Sequence, residues 1–314
     1  MNHNRRRFLQ TTAALATGLA GGVTVASSQA QRAQNSALSV PDSEIRVPKV
    51  RFGKLEISRL ILGVNPFYGF SHYNNNFSAV MQDWYTQARV IQALQRAEAL
   101  GINAFNYVHM NRGPADWERY KGEGGTMHLV AQATTDDPAE VVNAVKPYAA
   151  WVQGEITDRA YRNGKLGTVY DYAKKMRDLG VSMVGVASHI PDVLMRIEDM
   201  GWDVDFYAGC AYNIRRTPEE FRKLLGGELP ELVNDIYLQD DPPRMYGFFK
   251  QTKKPCVAYK ILAAGRVASV ERAFQRAFQS IKSYDLVCVG VFHRFKDEIK
   301  EDAYYTSRYG VTAS

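Results

Sequence analysis

Eight short apolar runs recur along the chain, and their spacing constrains the fold more than any other feature. They lie at 59–63, 103–107, 128–133, 149–153, 182–186, 205–208, 256–261 and 286–291. Each is continuous in its hydrophobicity rather than alternating, as a strand covered on both faces requires. Between most of them the apolar residues shift to helical spacing, most clearly over 169–179, 193–200, 242–252 and 270–281. Over 83–100 the same spacing is carried by Val90, Ile91, Leu94, Ala97 and Leu100 and stops at Gly101. Eight strand–helix units in about 260 residues predict an α/β fold, a closed (β/α)8 TIM barrel. Ahead of the first run, Val50-Arg51-Phe52, a turn at Gly53-Lys54 and Leu55-Glu56-Ile57 predict an N-terminal β-hairpin. A doubly wound open sheet is the alternative, but no Gly-rich fingerprint follows any run.

The N-terminus carries a different kind of signal. Asn4-Arg5-Arg6-Arg7-Phe8-Leu9-Gln10 precedes a weakly apolar run of small residues from Thr11 to Ala26, with a small-residue cleavage site near Ser28-Gln29-Ala30. This pattern reads as a twin-arginine export signal. Residues 1–30 are therefore expected to be a cleaved signal peptide handled by the twin-arginine translocase, 31–47 a mobile polar linker, and 48–314 the barrel of a periplasmic or secreted protein. No stretch approaches the ~18 consecutive apolar residues of a membrane helix, so the mature protein is expected to have no membrane span. Of the formal charge of +6, Arg5, Arg6 and Arg7 supply half. The remaining excess is too small for a nucleic-acid binder, and no basic run with interleaved aromatics follows. Cys210, Cys256 and Cys288 all sit in apolar runs and read as buried, inert thiols.

The stretch from Phe52 through Gly63, with Gly101-Ile102-Asn103-Ala104-Phe105-Asn106, Val184-Gly185-Val186-Ala187-Ser188, Ala258–Gly265 and Val289-Gly290-Val291 in the same order, resembles the aldo/keto reductases. The resemblance spans roughly residues 50 to 303 and implies a barrel plugged at its base by the hairpin. It also implies a catalytic tetrad, in which a Tyr acid is tuned by a Lys, the Lys is paired with an Asp, and a His orients the carbonyl. Asn106 stands at the Asp position, Asn111 at the Tyr position, Gln132 or Thr134 at the Lys position and Glu155 at the His position. On the cofactor side, Ala187-Ser188 replaces a Ser-Asn pair and Lys260 a Ser. The adenine-end motif is present only loosely, in His293-Arg294 through Glu298-Ile299-Lys300-Glu301-Asp302. The resemblance thus implies the fold, and a divergent site in which the tetrad has been replaced.

In such barrels chemistry sits at the carboxyl ends of the strands, and here those ends are polar. They carry Asn65, Asn106, Tyr107, His109, Gln132, Gln153, Glu155, Ser188, His189, Tyr212, Asn213, Arg215, Lys260, His293 and Arg294. Lys260, inside an apolar run, is costly to bury unless it meets an anion, loses its proton or reacts. Glu155, preceded by Gly154, is the carboxylate expected to move a proton, Lys260 is expected to stabilise developing negative charge, and His109, His189, Asn106 and Tyr107 are expected to assist. His109, Glu155, His189 and His293 are the candidate ligands for a divalent metal. Asp240-Asp241-Pro242-Pro243 reads as a helix start capped by Asp. The glycine-containing segment 112–126 reads as a long loop over the mouth, serving as a lid. The expected function is non-redox acid/base chemistry of lyase, isomerase or hydrolase type on a small polar, carbohydrate-like substrate. The alternatives are an NADP- or NAD-dependent oxidoreductase with a rearranged site and a non-catalytic ligand-binding protein.

Overall fold

The computed structural model describes residues 37–227 and 235–311. The twin-arginine segment and its cleavage site lie outside the described residues. Two antiparallel strands, β1 (Lys49–Phe52) and β2 (Leu55–Ser58), precede the barrel. The eight parallel barrel strands are β3 (Leu60–Gly63), β4 (Ala104–Val108), β5 (His128–Ala133), β6 (Ala149–Val152), β7 (Met183–Ser188), β8 (Phe206–Cys210), β9 (Cys256–Tyr259) and β10 (Leu286–Gly290). They follow one another in chain order, and β10 closes on β3 with Val287 opposite Leu60 and Gly290 opposite Gly63. The expected barrel and hairpin are both present.

The helical layer comprises α1 (Asn75–Trp84), α2 (Gln87–Ala99), α3 (Gly113–Gly122), α4 (Ala139–Val145), α5 (Gly154–Arg162), α6 (Gly167–Asp178), α7 (Pro191–Asp199), α8 (Pro218–Leu225), α9 (Pro242–Gln251), α10 (Val270–Ser280) and α11 (Glu298–Tyr309). Alternate strand residues divide between two apolar clusters. Ile61, Ala104, Val130, Trp151, Phe206, Val257 and Leu286 fill the barrel with Phe52 and Ile57 of the hairpin, whereas Leu60, Leu62, Phe105, Val184 and Val287 pack under the helices. The hairpin plugs the base: the Phe52 ring meets Phe206 edge-on at 5.0 Å, and Tyr148 Oη donates to the Phe52 carbonyl at 3.2 Å.

Four local expectations are corrected. The helical stretch 83–100 is split after Trp84, where Tyr85 turns to donate its hydroxyl to the Val291 carbonyl and Thr86 caps α2. The segment 112–126 is no lid, because α3 occupies it, Trp117 stacks on Phe105 and Tyr120 donates to Glu98. Asp241 does begin α9 but does not cap it, since its carboxylate is held by Arg216 and the Asn213 amide. The described part of the expected linker is docked rather than mobile. Ala37, Ile45 and Val47 are buried, and Asp42 pairs with Arg96 and Lys300, which hold its carboxyl at about 2.

Below the closing strands, the buried Arg59 guanidinium donates to the carbonyls of Asp285, Lys282 and Gly310 and lies over the Phe278 ring. It ties the start of β3 to the β10 approach and to the end of α11. Replacing it leaves three carbonyls without their donor, so Arg59→Met is expected to cost about 3–5 kcal/mol. Urea unfolding of the variant checks this.

Candidate active site

The carboxyl ends of the barrel strands open into a cavity of about 560 Å³. Its floor carries the residues that continue the inward register: Asn106 follows Ala104, Gln132 follows Val130, and Tyr259 follows Val257. Asn106 Nδ2 donates to the Val130 carbonyl at 3.0 Å, and Gln132 Nε2 donates to Asn106 Oδ1 at 2.7 Å. Where the resemblance implies an ionised Asp–Lys pair, this chain therefore holds two neutral amides bonded to each other. They offer no charge with which to shift a neighbouring phenol.

One wall carries a histidine–carboxylate pair. His189 Nδ1 lies 2.7 Å from Asp158 Oδ2, while the other carboxylate oxygen accepts from Ser188 Oγ at 2.5 Å. The His189 amide also donates to Asp158, at 3.2 Å. Because an ionised carboxylate only accepts, Nδ1 carries the hydrogen and Nε2 is left with a lone pair. Among the described residues Nε2 has no partner, and the ring lines the cavity. Burial holds the imidazole below its ordinary pKa, against the opposing pull of Asp158, so the free base persists at neutral pH. Tyr259 packs edge-on against the His189 ring and donates to the Ser188 carbonyl. Gly154 lets both approach, since a Cβ there would lie 2.9 Å from His189 Cε1 and from Tyr259 Oη.

The cavity is lined by a second such histidine as well. His72 Nδ1 lies 2.8 Å from Asp235 Oδ2, and His72 Nε2 lies 3.1 Å from both Lys260 Nζ and Asn65 Nδ2. Lys260 follows inward-facing Tyr259 directly, yet it too lines the cavity. Its φ of 58° breaks the strand alternation that would have turned it to the helices.

Other candidates are placed differently. Glu155 lines the cavity but is ion-paired with Arg215. Tyr107 is the outward residue beside Asn106; its hydroxyl is bonded to His109 Nδ1 at 2.9 Å, and neither residue lines the cavity. His293 is bonded to Tyr85 Oη at 2.9 Å, also away from the cavity. The expected metal set of His109, Glu155, His189 and His293 is thereby dispersed, and among the described residues no group of three or more His, Cys, Asp or Glu is placed to hold a metal. Cys288 lines the cavity, but burial pushes its thiol up to about 12. Asp158, His72 and Asp235 were not anticipated. Asp158 had one legible signal, its position four residues after Gly154 on the buried face of α5, whereas His72 and Asp235 lie in segments without periodicity.

Beyond β10 the cavity has an outer arm lined by Lys296, Glu298, Glu301 and Asp302. Burial raises Asp302 well above the usual carboxylate range and Glu298 to about 7. Lys296 donates to Glu301 Oε2 at 2.6 Å, and Glu301 Oε1 has no partner among the described residues. A dinucleotide pyrophosphate calls for cations and open amides, and this wall presents carboxyls with its lysine already engaged. Among these four residues no free cation is placed to meet a pyrophosphate.

No family model and no curated protein matches the chain. Among solved structures, it is similar to a glycerol dehydrogenase from Gluconobacter oxydans, at 12% identity and a TM-score of 0.44, over 85% of this chain and 97% of that one. It is also similar to a truncated 3-deoxy-D-arabino-heptulosonate 7-phosphate synthase from Thermotoga maritima, at 11% identity and a TM-score of 0.46, over 85% and 90% of the two chains. An N-acetylneuraminic acid synthetase from Leptospira borgpetersenii serovar Hardjo-bovis is 10% identical with a TM-score of 0.47, over 84% and 89%.

The depressed His189 gives a pH dependence of defined sign. The unfolded chain protonates this residue near its ordinary value of about 6.5, while the folded site still resists the proton. Its contribution is therefore whole above that pH and is lost as pH falls toward the folded value. The stability difference between the wild type and His189→Asn is expected to shift against the wild type as pH drops from 7 to 5, as read by urea unfolding at each pH.

Proposed function

We propose that this chain is a non-redox acid/base enzyme of the lyase, isomerase or hydrolase type, acting on a small polar, carbonyl-bearing and carbohydrate-like substrate. The observation that carries the reading is the Asp158-backed His189, whose open Nε2 shares one cavity with Lys260. His189 Nε2 takes the proton from the substrate, Asp158 stabilises the imidazolium that forms, and Tyr259 and Gly154 fix the ring. Lys260 meets the carbonyl end, where negative charge develops. Asn106 and Gln132 offer neutral hydrogen bonds to substrate hydroxyls. Glu155, paired with Arg215, binds substrate or orders the rim, and the proton transfer passes to His189. The amide pair and the carboxyl-lined outer arm favour this reading over nicotinamide-dependent reduction.

The test is solvent-deuterium exchange at carbon, followed by NMR, with the full chain incubated separately with dihydroxyacetone, erythrulose and pyruvate. The wild type is expected to exchange the hydrogens next to the carbonyl in at least one of them, and His189→Asn to slow that exchange by about 100-fold or more. Fluorescence titration with NADPH and NADH is expected to show no saturation. Tight cofactor binding would replace this reading with the reductase one, and ligand binding without exchange would leave a binding protein.

We also propose that the protein is exported by the twin-arginine route. Replacing Arg5, Arg6 and Arg7 by Lys keeps the charge, and is expected to leave the protein in the cytoplasmic fraction while the native chain reaches the periplasm.

A further inference from the structure

Lys260 is set up for more than charge stabilisation. Among the described residues no carboxylate lies within ion-pair distance of its Nζ, which is hydrogen-bonded to an imidazole nitrogen. The direction of that bond follows from Asp235. The carboxylate accepts from His72 Nδ1, so the neutral ring presents its Nε2 lone pair to Lys260 Nζ and Asn65 Nδ2, and both donate. A buried amine that gives one hydrogen to His72, with no carboxylate within ion-pair distance, is disfavoured as the ammonium.

Backbone strain points the same way. Lys260 and His72 have φ of 58° and 54°, in the left-handed region that residues with a Cβ seldom adopt. Both strained residues lie at the mouth and bond to each other, and such outliers persist where the surrounding structure over-determines them, often at functional sites.

We propose that Lys260 is a Schiff-base nucleophile that condenses with the carbonyl carbon of a small keto or aldehydo substrate, with His72 as its proton carrier and Asp235 as a positioning residue. The inference rests on the acid/base reading above and names the way in which Lys260 handles the developing charge. The Nζ lone pair forms a bond to the carbonyl carbon as the π pair moves to oxygen. One Nζ hydrogen passes through His72 to that oxygen, giving the carbinolamine. The second follows the same path as the C–O bond breaks and water leaves, so that amine plus carbonyl become imine plus water with no redox partner. Once protonated, the imine accepts the electron pair released when His189 takes a proton from the adjacent carbon. Burial lowers the Lys260 pKa, and the groups facing it are His72, Asp235, Arg215, His189, Cys210 and Cys288. Arg215 adds to the depression, while Asp235 opposes it.

The test is reductive trapping on the full chain. Pyruvate, glyoxylate and dihydroxyacetone are each supplied with sodium cyanoborohydride at pH 7, and the modified lysines are located by peptide mass mapping. With at least one of them, Lys260 is expected to be alkylated ten times faster than any other lysine, and His72→Asn to slow this labelling at least fivefold. His189→Asn is expected to retain labelling while losing deuterium exchange. Labelling confined to surface lysines in all three reactions overturns the proposal. If exchange persists in that case, Lys260 serves as a plain cation and the acid/base reading stands; labelling of Lys260 without exchange has the opposite meaning. Circular dichroism of each variant separates these outcomes from misfolding.

Discussion

Closure of the sheet between Leu60–Gly63 and Leu286–Gly290 is the constraint on which the rest of the molecule depends. An open parallel sheet would leave two edges of unpaired amides and carbonyls, whereas the closed one leaves none. Closure also fixes two faces for every strand and gathers all eight carboxyl ends into a single rim. The Arg59 guanidinium, bound to three carbonyls from the last strand's approach and the final helix, holds this seam from below. The hairpin fills the base with Phe52 and Ile57.

At that rim the inward register changes from apolar to polar over two residues: Ala104 to Asn106, Val130 to Gln132, Val257 to Tyr259. Buried polar groups are tolerated when they are satisfied, and the floor satisfies its own by bonding Gln132 to Asn106 and Asn106 to a strand carbonyl. The two histidine–carboxylate pairs are built by the same rule, each carboxylate fixing one ring nitrogen and leaving the other toward the cavity or the lysine. The result is two uncharged bases and an amine lining one cavity. That arrangement is the basis of the acid/base proposal.

The legibility of these parts in the sequence differed for physical reasons. The eight buried strands were readable because a strand covered on both faces is a continuous apolar run, and the hairpin because its turn residues are local. Lys260 stood out because a lysine in such a run needs an explanation. His189 was readable as a residue at a strand end, but the expected partnership of histidines was not formed, because Tyr107 and Tyr85 took His109 and His293 on the outer side. Asp158 was hidden within a helix whose polar residues are mostly solvated. Trp117 and Tyr120 read as loop aromatics, yet they pack α3 against strand and helix.

The sequence alone determined the barrel, its plug and the concentration of polar residues at one rim, since these depend on hydrophobic pattern and strand period. Only the tertiary structure decided which polar groups meet. His72 and Lys260 are 188 positions apart, and His72 and Asp235 are 163 apart. They are joined by loops without periodicity and by left-handed backbone at two residues. Such contacts follow from chain closure and local strain, neither of which leaves a mark in the spacing of residue types.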